Sequence, residues 1–214
     1  MTRRQELAAN LKEIRSEIPA GVTLICVTKT YPISDVEILK ELGEENFGEN
    51  RTNELVGKAG AVKATWHFQG QIQSNKVKDI AQYADVVHSL DEIAHVRKLD
   101  ALLNREISAF IQVSLDGAQG RGGVLPENLS AIADEIVASR HISLLGLMAV
   151  APLGEDADRA FTRLATLHRD FCTRYPSATS LSAGMSHDYR QALANGATHL
   201  RIGSQILGPR AGLR

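Results

Sequence analysis

Short apolar runs alternate with amphipathic stretches along most of the chain. The first run, residues 22–28, is apolar on both faces, as expected of a strand in a covered parallel sheet. The stretch that follows, residues 35–42, has the periodicity of a helix. Because the same order recurs towards the C-terminus, the pattern predicts βα units. Ser34 and Ser89, each followed three residues later by glutamate, predict capping boxes at two helix starts.

Eight runs of strand type precede a final helical turn near Gln205. They lie at residues 22–28, 46–47, 66–68, 86–88, 107–114, 142–150, 179–182 and 199–202. Eight consecutive βα units favour a closed (β/α)8 barrel, or TIM barrel, as a single domain over residues 1–214. Residues 1–17 are predicted to form an extra N-terminal helix packed on the barrel. An open doubly wound sheet is the alternative, since periodicity does not reveal closure.

The composition agrees with one globular domain and narrows the class of function. Of the 214 residues, 43% are hydrophobic and 23% charged, which suits a packed core. The 24 basic residues nearly cancel the 25 acidic ones, so no net field recruits nucleic acid or a membrane surface. No signal peptide or membrane span is apparent. Cys26 and Cys172 show no C-x-x-C spacing, which favours a reducing, cytoplasmic compartment.

Common catalytic motifs do not occur in the sequence. It contains no G-x-S-x-G, G-x-G-x-x-G or Walker A pattern, so a serine hydrolase, a dinucleotide enzyme and a P-loop NTPase lack support. No H-x-H or H-E-x-x-H spacing occurs, and we predict no metal site. The histidines are His67, His88, His95, His141, His168, His187 and His199.

The loops after the last two strands offer the components of a phosphate site. In barrels of this type, active sites lie at the C-terminal ends of the strands, and phosphate is often held after strands 7 and 8. Here those loops carry Ser186, and Gly203 followed by Ser204. Hydroxyls and backbone N–H groups of this kind bind anions. The alternative is that both serines only cap helices.

Lys29 follows the first strand, which pairs with the last strand in a closed barrel. An inward Lys29 would therefore lie beside the predicted phosphate site, although a lysine at a strand end is commonly a solvated surface charge. An amine held at the rim of an apolar core can lose its proton and form a Schiff base with a carbonyl. The combination predicts a phosphate-bearing aldehyde as the ligand.

Strand alternation places Arg201 on the same face as Gly203, with Leu200 and Ile202 on the other face. An inward guanidinium can meet the ring nitrogen of a pyridine held between Lys29 and the phosphate site. Because it is permanently charged, it keeps that nitrogen unprotonated and makes the ring a poor electron sink. The alternative is a structural ion pair with a barrel carboxylate.

Six segments, in order along the chain, resemble the YggS/PROSC family of pyridoxal phosphate homeostasis proteins. They are residues 27–30 (VTKT), 47–50 (FGEN), 67–76 (HFQGQIQSNK), 146–149 (GLMA), 184–186 (GMS) and 201–203 (RIG). The resemblance implies a barrel similar to the N-terminal domain of alanine racemase, with pyridoxal 5′-phosphate (PLP) as its cofactor.

The resemblance also implies a cofactor site. The matching positions are Lys29, Asn50, Met148, Ser186, Arg201, Gly203 and Ser204. Lys29 matches the Schiff-base lysine, and Arg201 matches the arginine at the pyridine nitrogen. The two serines and the glycine match phosphate-binding positions, whereas Asn50 and Met148 match positions that line the pocket.

Two departures from the family pattern concern the phosphate site and one loop. Ser204 stands where many members have threonine, which keeps the hydroxyl. Residues 120–123 (GRGG) replace a loop of lysine-serine-glycine type. The glycine-rich residues 117–123 after strand 5 are expected to form a lid at the barrel rim.

Three functions remain in competition. Racemisation needs an acid/base group on each face of the carbanion, and Lys29 supplies one. In alanine racemase a second domain supplies the opposing tyrosine, whereas this chain ends at Arg214 after the last barrel unit. We therefore expect a non-catalytic, monomeric PLP homeostasis protein whose partners are apo PLP-dependent enzymes. A racemase-like enzyme is the alternative, and a Schiff-base aldolase acting on a sugar carbonyl is the third.

Overall fold

The computed structural model, which describes residues 1–118, 120 and 122–209, has a parallel sheet that closes on itself. Its strands β1–β8 are Thr23–Val27, Asn46–Glu49, Thr65–Phe68, Val86–Leu90, Ile107–Val113, Ile142–Ala149, Ser180–Ser182 and His199–Ile202. Each strand pairs with the next one, and β8 pairs with β1. The predicted (β/α)8 barrel is confirmed, and the open doubly wound sheet is wrong. Residues 210–214 of the predicted domain lie outside the described residues.

Helices surround the barrel and connect its strands. Within the described residues, helices α1–α9 are Arg3–Glu17, Ile33–Glu41, Thr52–Ala61, Val77–Tyr83, Ile93–Leu102, Leu129–Ala138, Ala157–Arg174, Tyr189–Ala194 and Ser204–Leu207. The predicted N-terminal helix is α1, which buries Leu7, Leu11 and Ile14 along one face. None of the helices in this part of the chain has the length and apolar character needed to cross a bilayer.

The capping boxes predicted at Ser34 and Ser89 are wrong. Helix α2 begins after Pro32 with no side-chain cap. Strand β4 extends through Ser89, whose buried hydroxyl donates to the carbonyl oxygen of Gly70 at 2.6 Å instead of capping α5. The capping box that does form joins Thr2 and Gln5 at the start of α1.

The barrel wall separates an outer apolar layer from a partly polar interior. Side chains such as Leu24, Leu200 and Ile202 point outwards and pack in the main apolar core under the helices. A small apolar cluster of Val86, Phe110 and Met148 packs apart from that core. Polar residues of the barrel strands are buried as well, and among them are His67, His88, Ser182 and Arg201. The barrel interior therefore contains buried polar groups as well as apolar ones.

Gly146 marks an irregular point in the wall, because the pairing between β5 and β6 shifts register just before it. Its φ is 152°, and a Cβ atom there would lie 1.8 Å from the carbonyl oxygen of Ser180 in β7. This oxygen belongs to the neighbouring strand and cannot move away without disturbing the sheet. Glycine is thus required where β6 approaches β7.

We expect Gly146→Ala to lower the free energy of unfolding by about 2 kcal/mol or more, because the clash is with backbone. For a domain of this size that is a fall in melting temperature of roughly 4–8 °C. Gly57→Ala in α3, where a Cβ atom would meet nothing within 4 Å, is the matched control. It should be neutral or stabilise the helix by about 0.5–1 kcal/mol. Equal melting temperatures for the two variants would contradict this account.

Candidate functional site

The pairing of β1 with β8 brings the predicted site residues together. Ile25 lies opposite Arg201 and Cys26 lies opposite Ile202, so the turns that follow the two strands are neighbours. A cavity of about 170 Å³ opens at this rim. It is lined by Val27, Lys29, Gln69, Met185, Ser186, His187, Arg201, Gly203 and Ser204. The cavity thus joins the predicted lysine, arginine and phosphate-binding positions.

Asn50 and Met148 do not line this cavity. Asn50 lines a neighbouring cavity of about 360 Å³, together with Arg51 and Lys76. Met148 is buried and pairs with Ser182 across β6 and β7. A contact of either residue with a cofactor stays a prediction.

Ser186 connects the loops that follow β7 and β8. Its Oγ accepts the backbone N–H of Gly203 at 3.3 Å and, at the longer distance of 3.5 Å, that of Gln205. Helix α8 begins only at Tyr189, with Asp188 at its N-cap, and Gly203 rather than Ser204 is the N-cap of α9. Neither serine is thus the N-cap residue of the helix that follows it, although Ser186 Oγ accepts an N–H of the first turn of α9. Phosphate binding by the two serines stays a prediction.

Gly184 allows the loop after β7 to reach this position. Its φ is 88°, and a Cβ atom there would lie 2.7 Å from the Cβ of Ala192 and 2.9 Å from the Cα of Tyr189. Its carbonyl oxygen accepts the backbone N–H of Arg201 at 3.0 Å. The glycine therefore lets the chain turn tightly against α8 and places Ser186 beside β8.

Arg201 brings a buried positive charge to the cavity wall, with only 4% of the residue exposed. Its Nη1 donates to Ser182 Oγ at 2.7 Å, and its Nη2 donates to the carbonyl oxygen of Ala149 at 3.0 Å. Burial lowers the pKa of the guanidinium to about 10, so it stays protonated at neutral pH. Within the described residues Arg201 forms no salt bridge, so the predicted alternative of an ion pair is not supported.

Behind Arg201, a hydrogen-bonded chain of side chains crosses the barrel interior. Ser182 Oγ lies 2.9 Å from His88 Nδ1, and His88 Nε2 lies 2.9 Å from His67 Nδ1. The chain ends at Asn46 Oδ1, 3.0 Å from His67 Nε2. Burial lowers the pKa of His67 to about 3 and that of His88 well below its usual value, so both rings are neutral. This chain was not predicted from the sequence, although strand alternation can place both histidines on the inward face of their strands.

The turn that carries Lys29 is held from outside the barrel. Thr30 has a φ of 71°, an unusual conformation for a β-branched residue, and its N–H donates to Glu54 Oε2 at 2.5 Å. Lys58 donates to the carbonyl oxygen of Thr28 and to Glu49 Oε1, both at 2.6 Å. This network was not predicted from the sequence either, because a buried Lys–Glu pair has no distinctive spacing.

The charges and donors on the cavity wall suit an anionic ligand. Lys29 and Arg201 supply amine and guanidinium groups, and none of the described residues that line the cavity is acidic. Gln69 Nε2 is buried without a hydrogen-bond partner. The same amide fills the space next to Gly48, where a Cβ atom would lie 1.9 Å from Nε2. An acceptor atom on an anionic ligand would satisfy this unpaired donor of the cavity lining.

The described part of the glycine-rich loop lines a different cavity. Gly123 N–H donates to Asp91 Oδ2 at 2.8 Å, which ties the loop to the rim after β4. Gln119 and Arg121 lie outside the described residues, and the role of the loop as a lid stays a prediction. Asp91, Glu92 and His95 bring donor atoms within 4.8 Å of one another. Since Glu92 and His95 are an ordinary pair three residues apart, 3.7 Å from each other, we assign no metal there.

Comparison with known proteins finds relatives that match nearly the whole chain. The family model described as "Alanine racemase, N-terminal domain" matches residues 3–211. A "Pyridoxal phosphate homeostasis protein" of Corynebacterium glutamicum is 38% identical over 204 residues, which cover 90% of this chain and 92% of the relative. A protein of the same name from Mycobacterium leprae is 34% identical over 241 residues, covering 97% of this chain and 94% of the relative.

Solved structures agree with these relationships. The structure of PipY from Synechococcus elongatus with PLP bound has a TM-score of 0.86 and 32% identity, covering 94% of this chain and all of PipY. Alanine racemase from Clostridium difficile has a TM-score of 0.80 at 13% identity, a likeness of fold alone. By sequence and by fold, this chain therefore belongs to the alanine racemase N-terminal domain family and, within it, to the pyridoxal phosphate homeostasis proteins.

Proposed function

We propose that this protein binds PLP in the cavity between β1 and β8 and serves in PLP homeostasis, by storing, buffering or delivering the cofactor. The observation that carries the proposal is the composition of one cavity wall, which joins the amine of Lys29, the buried guanidinium of Arg201 and the loop pair around Ser186. Membership of the family supports it. The relative PipY, whose structure is described with PLP bound, supports the choice of cofactor.

Each group on the wall has a role in this proposal. Lys29 holds the cofactor as a Schiff base. Ser186, Ser204 and the backbone at Gly203 bind its phosphate at the start of the last βα turn, as loops after strands 7 and 8 do in many barrels. Arg201 faces the ring nitrogen. When bound, PLP supplies an electrophilic aldehyde and an electron-accepting ring.

The same wall favours retention of the cofactor over catalysis. The charged guanidinium of Arg201 disfavours a protonated ring nitrogen, so the ring withdraws electrons poorly. Among the described residues that line the cavity, only His187 accompanies Lys29 as a side chain of acid/base type, and His187 is exposed. A racemase-like enzyme would need an acid/base group opposite Lys29. A non-catalytic role is therefore the better supported one.

The cellular setting rests on the sequence. Cys26 and Cys172 are unpaired thiols, as a reducing compartment such as the cytoplasm favours. The monomeric state and the apo-enzyme partners stay predictions.

We expect Lys29→Ala to abolish the visible absorption band of the purified protein and the mass that borohydride reduction adds to the Lys29 peptide. The substitution removes one half-buried rim amine and little core volume, so the barrel should stay folded. Lys76→Ala, at the neighbouring cavity, is the matched control and should keep both signals. A reduced adduct on another lysine would refute the assignment. A wild type with no visible band at all would favour the aldolase alternative.

Arg201→Gln should weaken PLP retention by roughly 10- to 100-fold and shift the absorption band, because a buried charge–ligand interaction is lost. Absorption spectra and equilibrium dialysis measure the two effects. Arg97→Gln, which alters an exposed arginine paired with Glu135, is the control. A folded Arg201→Gln protein with unchanged spectrum and affinity would show that Arg201 has a structural role only.

The holo-protein should activate an apo PLP enzyme while racemising or transaminating amino acids negligibly. We expect low turnover because the ring is a poor electron sink and because, among the described residues that line the cavity, no buried histidine, carboxylate or tyrosine accompanies Lys29. Recovered activity of the apo-enzyme is followed over time, with an equal concentration of free PLP and the Lys29→Ala protein as comparisons. Robust amino-acid turnover that depends on Lys29 would establish the racemase-like alternative. PLP binding without activation of any apo-enzyme would leave storage or sensing.

A further inference from the structure

The hydrogen-bonded chain inside the barrel has a direction, which its two ends determine. At one end, the Arg201 guanidinium can only donate, and it donates to Ser182 Oγ at 2.7 Å. Ser182 has one proton, and its other contact is His88 Nδ1 at 2.9 Å. If Ser182 donates to Nδ1, His88 carries its proton on Nε2 and donates it to His67 Nδ1, and His67 then donates from Nε2 to Asn46 Oδ1. Every contact along the chain is then satisfied.

The opposite direction satisfies fewer groups. If His88 donated from Nδ1, Ser182 Oγ would receive two donors, from His88 and from Arg201. No further contact of this oxygen to a described residue would then take its own proton. At the far end, the Asn46 amide would have to turn over to present its NH₂ group to His67. A buried hydroxyl without an acceptor costs about 1–3 kcal/mol.

The surroundings of the chain hold these groups in place without neutralising the charge. His88 stacks on Phe110, with ring centroids 4.6 Å apart, so its ring cannot swing away. His67 and His88 are neutral, and His199, whose pKa burial lowers to about 4, is neutral too. A neutral relay orients the guanidinium through hydrogen bonds but supplies no counter-charge. A carboxylate in its place would cancel the field that Arg201 directs at the cavity.

We propose that Ser182 is a positioning residue for Arg201, and that the chain behind it fixes both buried histidines as Nε2–H tautomers. The assignment of the histidine tautomers concerns the protein itself and needs no cofactor. The positioning role of Ser182 rests on the proposed function, because it concerns the arginine assigned to the ring nitrogen of PLP. Polarised hydrogen bonds in such a chain strengthen one another, so loss of the Ser182 hydroxyl affects both Arg201 and the histidines.

The tautomers are tested on the protein without added ligand. Two-dimensional ¹H–¹⁵N correlation spectra of the histidine rings at neutral pH should show His67 and His88 protonated on Nε2, with His67→Asn and His88→Asn proteins used for assignment. In Ser182→Ala, His88 Nδ1 loses its donor and its nitrogen shift should change. A proton on Nδ1 of either ring in the wild type would overturn the proposed direction, whatever the protein binds.

The positioning role is tested with matched serine variants. Ser182→Ala should weaken PLP retention about tenfold and shift the absorption band. Ser182→Cys, similar in size but a weaker hydrogen-bonding group, should fall between Ala and the wild type. Ser180→Ala, two residues earlier on the same strand face and without contact to Arg201 among the described residues, should behave as the wild type.

The outcomes separate the two proposals. If thermal unfolding shows that Ser182→Ala and Ser182→Cys are both folded, and both bind PLP as tightly as the wild type, the role of Ser182 is refuted. A wild type and a Ser180→Ala protein that both fail to bind PLP would instead refute the proposed function, and the tautomers would still decide the direction of the chain.

Discussion

The pairing of β8 with β1 is the constraint on which the rest of this structure depends. Four residue pairs, from Thr23 and His199 to Cys26 and Ile202, close the sheet. Without them, Lys29 and Arg201 would lie at opposite edges of an open sheet, some 170 residues apart in sequence. Closure brings Lys29 and Arg201 to one cavity wall. It also places the loops that follow β7 and β8 next to β1. The cavity therefore depends on the topology of the barrel, which provides a rigid frame for the loops that line it.

The barrel interior gives that wall its electrostatic character. An ordinary barrel interior is filled by branched apolar side chains, whereas here two neutral histidines and Ser182 lie behind Arg201. Burying an unpaired guanidinium is costly, and the hydrogen bonds to Ser182 and to the Ala149 carbonyl oxygen offset only part of that cost. An anionic ligand at the rim would offset more. The cavity wall therefore carries a buried charge that suits such a ligand.

The turn that carries Lys29 is held by residues outside the barrel. The buried pair of Glu49 and Lys58 fixes the carbonyl oxygen of Thr28, and Glu54 holds the strained Thr30. Burial raises the pKa of Glu49, and the bond to Lys58 works against that rise. Lys29 thus lies between two hydrogen-bonded networks, one outside the barrel and one inside it. Glu49, His67 and Arg201 lie in the segments that resemble the family, but spacing along the chain does not reveal that they take part in these networks.

By itself, the sequence determined the element order, the family and five of the residues that line the cavity, namely Lys29, Ser186, Arg201, Gly203 and Ser204. Apolar periodicity is a local property, and Lys29, Ser186 and Arg201 lie in recognisable segments at strand ends. Only the tertiary structure decided the closure of the sheet, the failure of the capping boxes, and the hydrogen-bonded chain from Arg201 to Asn46. The physical reason is that hydrogen bonds between side chains depend on distances across the barrel. Residues far apart in sequence set those distances, and spacing along the chain does not encode them.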